Sequence, residues 1–418
     1  MGFLLWFLFI LLGIFAPKNK FTNAYQKTYM VVIWGLPYIN ADLESYRNHF
    51  VYESGFDFSL KNLLFNEGIY HNEVYLMKML GGSFELNIFL IACFSVFAFD
   101  YFLNRFEVKN KGFVWTLMLL QMMANFVTTI QQRFAVAILL FAICCLRKRS
   151  AKNAMLCILL VMIAGGIHTG AYEYLLLLGF YFCMTRQREK KMLPIILIAE
   201  FLAINIIGSI MNYWIENSSN VLGGYIDYSG GWGRVISHLV LYTILLFLVL
   251  GRKNIRSSES EDFLKRLSLY LIVQLPILYI NIIFRRFLEV FFFIPFCCAS
   301  KKAEKYGQRY GIFYRAGMAM FAFGIYLVFH VRNYEQFERY YLMTVINGNK
   351  LVNGIDFFVS FLIACVTFFV VCLLDNTRFI CVKTIYNKTI GSGEDNGNNE
   401  WKKRRKKSTE GSSYSSSI

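Results

Sequence analysis

The sequence predicts an all-α polytopic membrane protein with about thirteen transmembrane helices, and three observations carry that expectation. Of the 418 residues, 56% are hydrophobic and 18% aromatic, an apolar content beyond the roughly 45–50% of an ordinary soluble domain. The apolar residues come in long runs separated by short charged clusters, and mean hydropathy is +0.45; surplus area on that scale has to face lipid. The Lys and Arg residues behind the net charge of +16 fall on alternate loops, which is a topology pattern before it is a nucleic-acid signal.

Taken in order, residues 3–16 make the first span. They lack a basic leading segment and a small-residue cleavage site, and Lys18 and Lys20 follow, so an uncleaved helix is expected here and not a secretory signal. A weaker stretch, 25–39, supplies the second span. Beyond the long loop 40–85, the runs 86–103, 113–130, 134–146, 155–167, 172–184, 192–213, 235–250, 267–284, 287–299, 312–329 and 355–374 supply the others. Several fall short of the ~20 residues of a full crossing, so tilt or polar and aromatic ends must complete them. With the first helix running outside to inside, the basic clusters around Lys18, Arg105, Arg147, Arg186, Arg252 and Lys301 all become cytoplasmic. The amino terminus is then outside and the carboxyl terminus inside the cytoplasmic membrane.

Loop 40–85 is acidic and faces outward. Apolar spacing at 60–65 and 74–80 predicts two short interfacial helices, with Gly55, Gly68, Gly81 and Gly82 as breaks. Two organisational parts follow: a helical membrane domain over 1–386, and a tail over 387–418 that is rich in Gly, Ser and Asn and too polar to pack a core. The basic run 402–407 in that tail is read as anchoring the chain against anionic membrane lipid, with no nucleic-acid partner. The ten cysteines show neither a disulfide framework nor metal-ligand spacing. No phosphate-binding loop or dinucleotide fingerprint is present, so neither cofactor nor metal is expected.

Once the cytoplasmic clusters are set aside, Arg133, Arg234, Arg285, Arg286, Arg332 and Arg339 remain on the outward side, unexplained by topology. Arg133 opens the fifth span after Gln131 and Gln132, and Arg285 and Arg286 open the eleventh. A guanidinium at the outer headgroup level keeps its charge and forks onto phosphate oxygens, which suits a lipid-linked diphosphate. Snorkelling is the plain alternative, and for Arg285 and Arg286 pairing with Glu289 is another. Neighbouring helical residues point about 100° apart, so at most one of that pair faces the groove of Arg133. His168 closes the sixth span between Gly165-Gly166 and Gly170, small residues that let a helix or ligand approach; its imidazole can donate to a diphosphate or move a proton, and a histidine hydrogen-bonded to a loop carbonyl is the plain alternative. Asp42 and Glu44, with Tyr46, stand at the start of the outer loop. Carboxylates there can act as a general base on a sugar hydroxyl or hold a metal, and a solvated acidic loop is the plain alternative. Glu173 and Glu200 lie in or near spans, where helix packing is the first reading.

The order Asp42…Tyr46, Gln131-Gln132-Arg133…Ala135 and His168-Thr169-Gly170-Ala171, with matching spans between, resembles the EpsG-type family of Wzy-like polysaccharide polymerases over roughly residues 1–380. The chain departs from the family pattern where Gly35-Leu36-Pro37 stands in place of an Arg ahead of the acidic residue, and where the order is Gln132-Arg133 in place of Arg-Gln. The resemblance implies a GT-C-like helical architecture and an enzyme joining lipid-linked repeats on the outer face of the membrane, for capsule, O-antigen or exopolysaccharide. Its substrate would be an undecaprenyl diphosphate-linked oligosaccharide, and a chain-length regulator would be a further partner. In that frame Asp42, Glu44 and His168 are the expected catalytic residues. Arg133, Gln132, Arg285, Arg286, Tyr46, Arg332 and Arg339 are the expected substrate-binding residues. Other many-helix classes are a GT-C type transferase using a lipid-phosphate sugar, which would share the acidic first loop, and a flippase. A flippase is expected to show two related halves, which the sequence lacks.

Overall fold

The computed structural model describes residues 1–38, 42–121, 129–147, 150–175, 195, 198, 232–250, 258–272, 275, 292–331, 334–352 and 357–375. Among the described residues the chain is helical and contains no strand; an isolated backbone bridge joins Pro37 to Asn349. The helices are α1 (Gly2–Phe15) and α2 (Lys20–Gly35), then α3 (Leu43–Tyr52), α4 (Leu60–Phe65) and α5 (Gly68–Met79) in the loop. There follow α6 (Phe84–Arg105), α7 (Lys111–Gln121), α8 (Ile130–Cys145) and α9 (Ala151–Ile167). Next come α10 (Trp232–Leu250), α11 (Glu259–Tyr270), α12 (Phe293–Lys305) and α13 (Gln308–His330). After these lie α14 (Tyr334–Phe337), which continues as the π-helical segment Glu338–Ile346, and the apolar helix α15 (Phe357–Asp375). The chain divides into two compact units, Met1–Ala364 and Cys365–Ile418. The expected tail 387–418 lies outside the described residues, as does most of each of the runs expected at 172–184, 192–213 and 267–284.

Polar residues ahead of the apolar runs start these helices. Asn19 accepts from the Phe21 N–H at 2.8 Å, Ser83 from the Leu86 N–H at 3.2 Å and Ser150 from the Asn153 N–H at 3.1 Å, each satisfying a first-turn amide that has no partner within the helix. Phe84–Arg105, Gln308–Val328 and Phe357–Asp375 are long and apolar enough to cross a membrane. Gly2–Phe15, Ile130–Cys145, Ala151–Ile167 and Val235–Leu250 are apolar but shorter. That agrees with the expectation that several runs fall short of a full crossing.

Inside the bundle α6 packs against both α2 and α8, α8 packs on α9, and α7 meets α1, α12 and α13. The buried Gln26 amide ties three of these helices together: its Nε2 donates to the Phe9 carbonyl at 3.0 Å, the Gly112 carbonyl at 3.1 Å and Thr116 Oγ1 at 3.2 Å. Such polar ties supply helix association where lipid removes the hydrophobic drive.

The two ends of the bundle differ. Helix α6, with 22 residues, is about 33 Å long and has the loop helices at its Phe84 end. At its Arg105 end the basic clusters gather on carboxylates. Asp100, 2% exposed, holds Lys111 at 3.0 Å and Lys27 at 3.6 Å. Glu107 holds Arg147 at 3.6 Å, and Glu261 holds Lys305 at 2.7 Å. Lys27 is buried within α2 and contributes to this clasp.

The loop carries three helices where two were expected. The additional one, α3, is built on Leu43 and Phe50, which are buried, and on half-buried Tyr46. Gly81 takes a positive φ of 73° and ends the stretch as expected, whereas the left-handed turn ahead of α5 is made by Glu67 at φ 56°.

Candidate active site

The loop helices sit over the ends of α2, α8 and α9. Close approach at α9 depends on Gly166, where a Cβ would collide with the Leu63 carbonyl and the Ile69 side chain, and on Gly165, which lies against the Tyr172 ring. The Tyr172 hydroxyl donates to the Leu64 carbonyl at 2.5 Å, so α9 and the turn after it hold α4 and α5 in place.

Beneath this cover lies Arg133, in the first turn of α8 and 0% exposed. A side chain snorkelling to headgroups would be exposed at its tip, so that alternative fails. The guanidinium stands 5.4 Å from the centroid of the Trp34 ring at the end of α2, a cation–π arrangement. It is within electrostatic reach of Tyr46 from α3 and Tyr70 from α5. Tyr46 and Tyr70 meet edge to face at 6.2 Å. Gln132 beside Arg133 is also fully buried, and its Oε1 accepts from Thr129 Oγ1 at 2.8 Å.

Tyr70 is the centre of this cluster. Burial holds its phenol well above the ordinary range; Tyr46 and Glu73 push the same way, Arg133 opposes, and Glu67 adds a smaller push. Glu73, one turn along α5, is a carboxyl that the sequence did not single out. Burial raises its pKa to about 7, against a hydrogen bond from Asn87 Nδ2 at 3.4 Å that favours the ionised form. A carboxyl poised there can exchange a proton near neutrality, which suits general acid–base work.

His168 caps the turn that follows α9. Its Nδ1 accepts from the Gly170 N–H at 3.2 Å and lies 3.7 Å from Glu67 Oε1, which also accepts from the Thr169 N–H at 3.3 Å. The histidine is thereby joined to the residue that opens α5.

The other expected residues divide. Tyr46 joins the cluster, and Asp42 stands half-buried at the start of α3. Glu44 is exposed on α3. Arg339 is exposed on the segment Glu338–Ile346, which packs against α1 and, through Tyr341 against Phe323 and Tyr326, on α13. Arg285, Arg286 and Arg332 lie outside the described residues, and so do Glu200 and Glu289.

On the far side of Tyr70, the His49 ring stacks on it with centroids 5.7 Å apart. Glu53 Oε2 lies 2.8 Å from His71 Nδ1 and 3.5 Å from His49 Nε2. Burial lowers the His49 pKa, His71 lowers it further, and Glu53 and Glu67 oppose. These three residues are the group within the described structure that has side chains suited to a metal ion.

A family model matches residues 27–344, the EpsG family. The chain belongs to the EpsG family. The matched span starts within α2 and ends in the π-helical segment, so it takes in Trp34, Tyr46, Tyr70, Glu73, Arg133 and His168 together. Comparison with curated proteins and comparison with solved structures both yield no match. In this EpsG-family protein Arg133 meets Tyr46 and Tyr70 beneath the loop helices, Gln132 lies buried beside it, and His168 is tied to the same loop through Glu67.

Proposed function

We propose that the chain is a polymerase of undecaprenyl diphosphate-linked oligosaccharide repeats, working at the outer face of the cytoplasmic membrane in capsule, O-antigen or exopolysaccharide synthesis. Family membership supports polysaccharide polymerisation, and the observation that carries the site is the fully buried Arg133 beneath the loop helices, beside Tyr46 and Tyr70, with Glu73 one turn from Tyr70 along α5. About thirteen spans in a GT-C-like arrangement, with the amino terminus outside and the carboxyl terminus cytoplasmic, complete this reading. Membrane lipid and a chain-length regulator are its further partners.

In the reaction an acceptor-sugar hydroxyl oxygen attacks the anomeric carbon of the donor glycan. The bond from that carbon to the diphosphate oxygen breaks, and the lipid diphosphate leaves with the electron pair. Arg133 and His168 stabilise the charge that builds on the departing diphosphate, where a preorganised cation shielded from water is most effective. The hydroxyl proton passes to a carboxylate, with Glu73 the best placed by its pKa and Asp42 the alternative. Tyr46, Gln132 and the remaining outward arginines bind the glycan and diphosphate. No step needs a nucleotide or a metal.

The test is polymer length in cells carrying Arg133→Lys. Lysine keeps the charge and loses the bidentate fork, so polymer yield should fall by on the order of 10²-fold at unchanged protein level, with single lipid-linked repeats accumulating at the cell surface. Normal polymer from both Arg133→Ala and His168→Ala would remove these residues from the site. Accumulation of an incomplete repeat would instead make the protein a single-sugar transferase.

A further inference from the structure

We propose that His49, Glu53 and His71 form a binding site for a divalent transition metal of the zinc type, clipping α3 to α5 beside the Arg133 cluster. His49 and Glu53 are four residues apart on α3, one above the other on the same face, the spacing by which a single helix turn offers two ligands to one ion. His71 comes from the first turn of α5, so the site exists only when the loop is folded. The two rings stand edge to face with centroids 4.3 Å apart, and all three candidate ligand atoms lie within 4.8 Å of one another. In a tetrahedral zinc site with bonds of 2.0–2.1 Å, ligand atoms are about 3.3 Å apart. The observed 2.8 Å and 3.5 Å separations bracket that value.

A second observation points the same way. His49 Nε2 is buried and makes no hydrogen bond among the described residues, although it faces the Glu53 carboxylate. An imidazole nitrogen so placed is costly unless something accepts or donates there, and a cation between it and Glu53 would use its lone pair. Around the group, Tyr70 stacks on His49, and Glu67 is close enough to add negative potential. Lys78 Nζ donates to the Val51 carbonyl at 2.8 Å and the Glu53 carbonyl at 2.5 Å, fixing the end of α3 against α5. Two imidazoles and one carboxylate are a recurrent zinc set, with a fourth position left for water or another oxygen. The side chains of His49, Glu53 and His71 are 25%, 16% and 35% exposed, so the group lies near the surface of the loop with His49 Nε2 turned inward.

The site does not depend on the polymerase reading, and its test reads binding directly. Full-length protein purified in detergent without a polyhistidine tag is titrated with Zn²⁺ alone, and with Co²⁺ for absorption. The expected result is one ion per chain. Affinity should fall at least about tenfold in His49→Ala, His71→Ala and the shape-conserving Glu53→Gln, and stay unchanged in His168→Ala. Tetrahedral Co²⁺ bands should appear without thiolate charge transfer. No stoichiometric binding, unchanged affinity in Glu53→Gln, or thiolate bands that place the ion on cysteines would each overturn the proposal. Glu53→Gln keeps side-chain volume and hydrogen bonding, so it decides the matter even where a histidine variant does not elute as a single species.

Discussion

At the residue scale the decisive feature is burial. Arg133 was visible in the sequence as a basic residue that topology did not explain, and its order relative to Tyr46 and His168 was visible too. Glu73 was not, because seven acidic residues share the loop 40–85 and only the tertiary contact with α6 distinguishes this one. Trp34 was missed for the same reason: it reads as one more apolar residue of a span until the guanidinium stands beside it. Glu73 makes a sharp expectation. A base must be ionised, and burial raises this carboxyl to about 7, so the wild-type polymerisation rate in membranes should climb as pH rises through about 7. Glu73→Gln should lower the rate ~10²–10⁴-fold and flatten that climb. A wild-type pH profile in Glu73→Gln would return the base to Asp42 or Glu44. The stability sign is opposite. A raised folded-state pKa means that the loop is held best while Glu73 is protonated, and that contribution is lost as pH rises from the usual 4.5 through about 7.

At the element scale the short helices of the loop do the positioning. Two of the three were legible from apolar spacing. Helix α3 was not, since Leu43, Tyr46 and Phe50 are diluted by Glu44, Arg47, Asn48 and His49, and the pattern gains meaning only once α5 lies against it. The metal-ligand spacing was hidden in the same way, because His71 is 18 positions from Glu53 and joins it through the packing of two helices. Gly165 and Gly166, by contrast, were read correctly as allowing close approach. Gly166→Val should drive α9 off the Leu63 carbonyl and Ile69, a local overpacking that typically costs 1–3 kcal/mol. Thermal unfolding in detergent should show a lower midpoint, and limited proteolysis should cut between α4 and α5 sooner. An unchanged midpoint and cleavage pattern would mean that the loop is held elsewhere.

At the scale of the whole molecule, the helical membrane class followed from composition and from the alternation of charge, both of which survive averaging over many side chains. Sidedness rests on the charge alone, and the gathering of Lys111, Arg147 and Lys305 at one end of the bundle with the acidic loop at the other fits it. A tag at Gly55, where a side chain meets open space, should label in intact cells, whereas one at Ser413 should label only after permeabilisation. Labelling of Ser413 in intact cells would invert the chain and move the site to the cytoplasm. The helix lengths carry one more consequence. Helices α8 and α9 have 16 and 17 residues, about 24 and 26 Å, against a hydrocarbon core of ~30 Å. A bilayer can meet such a mismatch by thinning locally, which would lower the headgroup plane around these two helices. On the proposed polymerase reading, a lipid carrier entering such a thinned region would bring its phosphates toward the depth of Arg133, so that membrane thickness would bear on substrate delivery.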